Sequence, residues 1–210
     1  MDNLGAIILA GGKSSRMKSN KVFLEINGEP ILKHVVRETS RISNHIILAI
    51  GKHDHKKNYA SILSKSIKII HDKTDAKAAL YGILTGLGAI ETDYAVILAA
   101  DTPFINTNVI KQLYIEVQGF DIAIPIWPNG NIEPLYAVYN VQTTLWAFKK
   151  AAKEGKVRIK EVMNTLKQIN YVPVERFTDL GVNLDCFFNI NTPQDFNKAE
   201  QVLSRKHSTK

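Results

Sequence analysis

Short apolar runs rich in β-branched residues alternate along this chain with segments of helical spacing. The runs cover residues 4–10, 46–50, 67–70, 94–99 and 122–126. Between them, apolar residues recur every three or four positions, a spacing that predicts helices with one buried face. Strands that are apolar on both faces need cover on both sides, which helices provide. The alternation therefore predicts an α/β fold with a doubly wound, parallel sheet rather than a sandwich or a barrel.

The second half of the chain follows without a long linker. It is predicted to contain a turn, a strand and three helices, at residues 127–131, 135–139, 142–153, 158–168 and 193–203. Thr192 is the predicted cap of the last helix, with Pro193 in its first turn. We predict a single domain over residues 1–203 and a flexible basic tail at residues 204–210.

Composition places the chain among ordinary globular proteins, since 45% of its 210 residues are hydrophobic and 22% are charged. Its net charge of +7 favours anionic partners such as nucleotides, phosphorylated metabolites or nucleic acid. The basic residues are dispersed and no aromatic ladder accompanies them. We therefore predict no nucleic-acid partner.

The single cysteine and the absence of long apolar runs bear on the compartment. Cys186 cannot close an intramolecular disulfide, and its neighbours Phe187 and Phe188 predict a buried thiol. No run approaches the ~20 apolar residues that cross a bilayer, and the N-terminus lacks the basic flank of a signal peptide. The expectation is a cytoplasmic protein that does not associate with membranes.

A glycine pair follows the first predicted strand. Gly11 and Gly12 leave backbone N–H groups open to phosphate oxygens, and Arg16 and Lys21 add positive charge. The alternative is a solvated turn that binds nothing. A Walker A loop is excluded, because Ile7 stands where its first glycine would be, and no spaced glycine completes a dinucleotide fingerprint.

Two acids follow predicted strands. Ligands of doubly wound sheets gather outside the carboxyl ends of the strands, so Asp101 and Asp72 are expected at one rim. The carboxylate of Asp101 is a hard oxygen ligand of the kind that Mg²⁺ prefers. It is expected at the place where a Mg²⁺ ion that bridges phosphates would lie. The alternative for Asp101 is a cap or turn residue before Pro103, and a lone acid such as Asp72 is often a cap.

Four ordered stretches, spread over nearly the whole chain, carry a resemblance to a known family. They are Leu9-Ala10-Gly11-Gly12-x-x-x-Arg16-Met17 with Lys21 and Leu24-x-x-x-Gly28-x-Pro30-Ile31-Leu32 after it, Ala100-Asp101-Thr102-Pro103-Phe104, Glu133-Pro134-Leu135-Tyr136-Ala137-Val138-Tyr139, and Asn189-Ile190-Asn191-Thr192-Pro193-Gln194-Asp195-Phe196. The pattern resembles the molybdenum cofactor guanylyltransferase family, a branch of the nucleotidyltransferases.

The resemblance implies a Rossmann-like three-layer α/β/α sandwich with a mostly parallel sheet, like that of the nucleotide-diphospho-sugar transferases. It implies an enzyme that transfers GMP from GTP to the phosphate of molybdopterin carrying molybdenum and releases pyrophosphate. The implied cofactor is Mg²⁺, and the implied further partners are recipient molybdoenzymes.

Residue roles follow from the same resemblance. Those expected to bind the nucleotide are Leu9, Ala10, Gly11, Gly12, Lys21 on the phosphates, Asp72 at the nucleoside end, and Asp101 on both nucleotide and Mg²⁺. Arg16, Lys21 and Asp101 are the expected catalytic residues, with Arg16 contacting phosphate. Asn189 and Asn191 are expected to line the acceptor pocket, the alternative being that they cap the helix near Pro193.

The implied chemistry needs no catalytic histidine. An acceptor phosphate has a second pKa of about 6, so it is largely ionised near neutral pH and can attack without a general base. His53 and His55 lie in a charged segment that is typical of a solvated loop, and no zinc is assigned to them. Arg158 and Lys160 are interpreted as a solvated helix face rather than a contact to the pterin phosphate.

The sequence departs from the family pattern at three places. Lys18 stands where glycine usually follows Arg-Met, residues 49–51 lack a common asparagine, and residues 78–80 replace a Gly-Pro-Leu segment. The Gly11-Gly12 pair is the version that the resemblance associates with guanine. The alternatives that remain are a cytidylyl or sugar-phosphate nucleotidyltransferase and a non-catalytic nucleotide-binding maturation partner.

Overall fold

A computed structural model describes residues 1, 3–11, 21–74 and 78–207, with side chains up to residue 202. Its strands are β1 Leu4–Leu9, β2 Glu25–Ile26, β3 Glu29–Pro30, β4 Ile46–Ile50, β5 Lys68–His71, β6 Tyr94–Ala99, β7 Ile122–Ile126, β8 Tyr136–Asn140 and β9 Ile169–Pro173. Its helices are α1 Ile31–Thr39, α2 Lys56–Ala60, α3 Ala79–Leu87, α4 Thr107–Glu116, α5 Val141–Lys153, α6 Ile159–Met163, α7 Glu175–Asp179 and α8 Pro193–His207. Short 3₁₀ turns occupy Lys21–Phe23 and Leu184–Phe187.

Seven strands form one sheet in the order β5-β4-β1-β6-β8-β7-β9, and β2 pairs with β3 in a small hairpin. Within the large sheet, β8 runs antiparallel to both of its neighbours, and the other pairs are parallel. The carboxyl ends of the parallel strands consequently meet at one edge, where β8 begins. We call this the carboxyl edge. The mostly parallel α/β sheet predicted from the sequence is confirmed.

Helices cover both faces of this sheet. On one face α1, α4 and α7 pack against alternate strand residues such as Ile8, and on the other face α3, α5 and α6 pack against the intervening residues such as Ile7. Ile7 and Ile8 are both fully buried, and each such side chain contributes about 1.5–3 kcal/mol relative to exposure. A third apolar cluster lies between the β2–β3 hairpin and α8, around Ile26 and Ile190.

Two predicted helix ends differ from the structure, and the sheet contains a strand, β9, that the sequence pattern does not predict. The helix predicted at residues 158–168 ends at Met163, and the chain turns and adds β9 at the edge of the sheet. That strand has a single buried residue, Val172, and ends in Pro173, so its apolar pattern is too weak to predict. Helix α8 extends to His207 and takes in the first part of the predicted tail.

Other predictions for this half are confirmed. The Thr192 hydroxyl accepts a hydrogen bond from the backbone N–H of Asp195 (3.2 Å), while the Asp195 carboxylate accepts one from Thr192 (2.8 Å), a reciprocal cap at the start of α8. Cys186 is buried in the core as expected. Arg158 is 83% exposed and lies 3.8 Å from Glu161, as a solvated helix face requires.

The helices of the described residues bear on membrane insertion. None of them is both long enough and apolar enough to cross one.

Candidate active site

Lys21 lies at the centre of a cluster on the carboxyl edge. It begins a 3₁₀ turn whose next residue, Val22, is buried in the core and fixes the backbone there. The Lys21 ammonium forms an ion pair with Asp101, which follows the end of β6. It also donates hydrogen bonds to the Ile190 carbonyl (2.9 Å) and to the Asn191 side-chain oxygen (3.0 Å). These partners match the three N–H donors of an ammonium group, so the fold holds the charge in one place.

Asn189 fastens the segment before α8 to the loop after β6. Its side-chain oxygen accepts a hydrogen bond from the Thr102 hydroxyl (2.7 Å), and its amide N–H donates to the Phe187 carbonyl (3.3 Å). The backbone N–H of Ile190 donates to the Asp101 carbonyl (3.0 Å). The capping alternative for Asn189 and Asn191 is wrong, because Thr192 caps α8.

The end of β1 lies between the ends of β4 and β6. The backbone N–H of Ala10 donates to Ala49 (2.8 Å), and Leu9 accepts from the backbone N–H of Ala100 (3.0 Å). A Cβ added at Gly11 would lie 3.1 Å from the Gly51 nitrogen, so the two loops touch there and a larger residue would push them apart. Gly12, Arg16 and Lys18 lie outside the described residues, and the phosphate cradle stays a prediction.

Asp72 follows β5 on the same edge, and few protein groups offset the cost of burying its carboxylate. Its carboxylate oxygen Oδ1 is buried without a hydrogen-bond partner among the described residues. Burial raises the pKa of this carboxyl; the Thr85 hydroxyl works in the opposite direction and the charge of Asp54 adds to the rise. Asp72 is not a cap, since α3 begins after Ala78 and makes no side-chain cap. A buried oxygen without a donor is suited to N–H or O–H groups of a ligand.

Glu133 is a residue of this edge to which the sequence analysis gave no role. It lies between β7 and β8, and the Trp127 indole N–H donates to its Oε1 (2.7 Å). Burial raises the pKa of the Glu133 carboxyl, and the bond from Trp127 offsets only part of that rise. The position of Glu133 at the start of the Glu133-Pro134 motif is the one sequence feature that could have indicated a role for it. The sequence alone does not show that its carboxylate is half-buried.

The raised pKa of Asp72 predicts a change of stability with pH. A carboxyl with a higher pKa in the folded state binds its proton more tightly there, so ionisation favours unfolding. The resulting loss of stability begins near the unfolded pKa of about 3.9 and is complete above the folded pKa. Asp72→Asn should therefore raise the free energy of unfolding at pH 8 and have a smaller effect at pH 4, measured by urea denaturation.

Asp121 is the matched control, at the opposite edge of the sheet. Burial works to raise its pKa, but backbone N–H donors of Gln168 and Lys167 and the Thr143 hydroxyl lower it on balance. Its stabilising effect is present above the unfolded pKa and is lost as pH falls through the folded one. Asp121→Asn should lower the free energy of unfolding at pH 8. A lower value for Asp72→Asn at pH 8 would contradict the prediction.

Comparison with known proteins shows relatives over nearly the full length. Residues 6–169 match the model of the MobA-like NTP transferase domain. A probable molybdenum cofactor guanylyltransferase from Natranaerobius thermophilus is 33% identical over 97% of this chain and 98% of its own. Another, from Methanosarcina mazei, is 30% identical over 90% of this chain and 87% of its own.

A solved structure is also similar to this chain over nearly its full length. The molybdopterin-guanine dinucleotide biosynthesis protein A from Archaeoglobus fulgidus superposes with a TM-score of 0.79 at 26% identity, covering 96% of this chain and 99% of its own. The chain belongs to the MobA-like NTP transferase family.

Proposed function

We propose that this protein transfers GMP from GTP to the phosphate of molybdopterin carrying molybdenum, forming molybdopterin guanine dinucleotide and pyrophosphate. The observation that carries the proposal is the Lys21 ammonium held by Asp101, Ile190 and Asn191 at the carboxyl edge. That edge is where α/β sheets bind nucleotides. The names of the relatives support the choice of substrates.

The reaction is a displacement at phosphorus. An oxygen of the acceptor phosphate forms a bond to the α-phosphorus of GTP, and the bond from that phosphorus to the oxygen bridging the β-phosphate breaks. Pyrophosphate leaves with the electron pair. Because the acceptor is already ionised, positioning and charge compensation are the main tasks of the protein. Lys21, and Arg16 by resemblance, would supply positive charge that offsets the charge on the transferring and leaving oxygens.

Mg²⁺ is the metal that this donor set would hold. Asp101 offers a carboxylate, and Oδ1 of that group accepts no hydrogen bond from the described residues. No group of three His, Cys, Asp or Glu ligands occurs in the described ranges. A single carboxylate completed by phosphate oxygens and water is a common Mg²⁺ arrangement. When bound, the ion would neutralise part of the triphosphate charge.

Pyrophosphate release tests the assignment. The purified protein is incubated with molybdenum-loaded molybdopterin, Mg²⁺ and each of GTP, CTP, ATP and UTP in turn. We expect release with GTP and at least tenfold less with the other nucleotides. Equal or faster release with CTP would favour the cytidylyl alternative, and tight GTP binding without release would favour the non-catalytic maturation partner.

The compartment and the later partners belong to the same proposal. The single cysteine is buried in the core, as fits a protein of the reducing cytoplasm, where GTP is available. The dinucleotide product would pass from this protein to recipient molybdoenzymes.

A further inference from the structure

Two acids on the carboxyl edge, Asp72 and Glu133, differ in their surroundings from Asp101 and Asp121. Asp101 lies beside Lys21, and Asp121 accepts backbone N–H groups. Asp72 and Glu133 have no ion pair with any described cation. A half-buried carboxylate without a cation or several N–H donors is unfavourable in the free protein. Donors supplied by a ligand would remove that cost.

The sheet places these two acids on opposite sides of the Lys21–Asp101 pair. Asp72 follows β5, and three strand spacings separate β5 from β6, a lateral distance of about 14 Å. Glu133 lies between β7 and β8, on the other side of β6, at a lateral distance of about 5–10 Å. A substrate that reaches the central pair from either side would pass one of the two uncompensated carboxyls.

The two substrates of the proposed function carry the same recognition edge. Guanine presents a ring N–H beside a 2-amino group, and so does the pterin ring of molybdopterin. These two parallel donors match the two oxygens of a carboxylate. Because the family resemblance gives Asp72 the nucleoside, the remaining carboxyl is available for the other ring.

We propose that Glu133 binds the ring N–H and 2-amino donors of the pterin acceptor, with Trp127 holding the carboxylate in place. The inference rests on the proposed function for its substrate. The second oxygen, Oε2, accepts no hydrogen bond from the described residues, and a carboxylate has about four lone-pair sites, so the bond from Trp127 leaves room for both donors.

The surroundings of Glu133 connect it to the predicted acceptor pocket. The Trp127 ring meets the Phe187 ring edge-on at 5.8 Å between centroids. The Phe187 carbonyl in turn accepts the hydrogen bond from Asn189, one of the two asparagines expected to line that pocket. The Trp127–Glu133 pair therefore lies next to the segment that the resemblance assigns to the acceptor, and it adds aromatic surface suited to a planar ring.

Glu133→Gln is the decisive variant, because Trp127 fixes the orientation of the new amide. The indole N–H needs an acceptor, so the amide oxygen takes the place of Oε1 and the NH₂ group takes the place of Oε2. A donor then faces the donors of the pterin. The probes are 6-hydroxymethylpterin and the matching lumazine, which carries an oxygen in place of the 2-amino group, with binding followed by their fluorescence.

Wild-type protein should bind the pterin at least tenfold more tightly than the lumazine. Glu133→Gln should bring this ratio close to one and raise the KM for molybdopterin at least tenfold, while the KM for GTP stays within twofold. Glu116→Gln is the matched control. Glu116 is also partly buried and hydrogen-bonded, but it ends α4, far from the carboxyl edge, and this variant should keep the wild-type ratio.

Failure of this inference is distinct from failure of the proposed function. If the wild type releases pyrophosphate from GTP but Glu133→Gln keeps the pterin preference, the role of Glu133 is wrong and the function stands. An equal rise in the KM for GTP and for molybdopterin would also overturn that role. If the wild type releases no pyrophosphate, the function fails, and a pterin preference that depends on Glu133 would still support the binding site.

Discussion

Replacing Lys21 by methionine is expected to lower kcat for GMP transfer by about 10²–10³-fold, the usual loss when one group that stabilises a transition-state oxyanion is removed. Methionine keeps a long side chain but carries neither the charge nor the three N–H donors. Both the transferring phosphate and the pyrophosphate leaving group would then lack that charge. The measurement is steady-state pyrophosphate release at saturating GTP and molybdopterin.

Lys68→Met is the matched control for this variant. The Lys68 ammonium donates to the Ala89 carbonyl (3.2 Å), so it is also a lysine held by backbone, but it lies at the amino end of β5, away from the carboxyl edge. This variant should keep kcat within twofold of wild type. Circular dichroism shows whether each variant is folded. A folded Lys21→Met protein that retains more than a tenth of wild-type kcat would contradict the role given to Lys21.

Much of the fold could be predicted because both faces of the sheet are apolar. Runs such as residues 46–50 and 94–99 are buried throughout or nearly so, and that burial is what a continuous apolar pattern records. The edge strand β9 is not predicted from the sequence, because most of its residues are not buried. Of its five residues only Val172 is buried, two are partly buried and two are exposed, so no continuous apolar run marks this strand.

The site could be predicted only in part, because its contacts join distant segments. Lys21 and Asn191 are 170 positions apart, and no local pattern shows that the amide oxygen of one meets the ammonium of the other. The family motifs identified each residue separately. The half-burial of Glu133 depends on how the turn after β7 returns to β8, a tertiary feature to which a single acid in a sequence gives no clue.

The Lys21–Asp101 pair also predicts how variants combine. The two charged groups contact one another and would act on the same phosphates, so their effects on the rate are not independent. A double variant, Lys21→Met with Asp101→Asn, should lose little more activity than the more damaged single variant. If the fold-losses in rate of the two single variants multiply in the double variant, the two groups serve separate steps.

Asp101→Asn is expected to lower kcat by about 10²-fold or more, because it removes the charge that compensates Lys21 and the carboxylate proposed to hold Mg²⁺. The amide oxygen can still accept a hydrogen bond from the Lys21 ammonium, so the cluster should stay assembled. A weakened metal site makes a second prediction. Raising the Mg²⁺ concentration should restore part of the lost rate in Asp101→Asn and none of it in Lys21→Met.

Asp179→Asn provides the control, because Asp179 is exposed on α7 and has no part in the site. It should keep the wild-type rate and Mg²⁺ dependence. An Asp101→Asn protein whose Mg²⁺ dependence matched wild type would remove the metal from that carboxylate and leave only the ion pair with Lys21. If Asp101 served only in the ion pair, Asp101→Asn and Lys21→Met would respond alike to Mg²⁺. The Mg²⁺ titration therefore distinguishes a carboxylate that holds the Lys21 ammonium from one that also holds the metal ion.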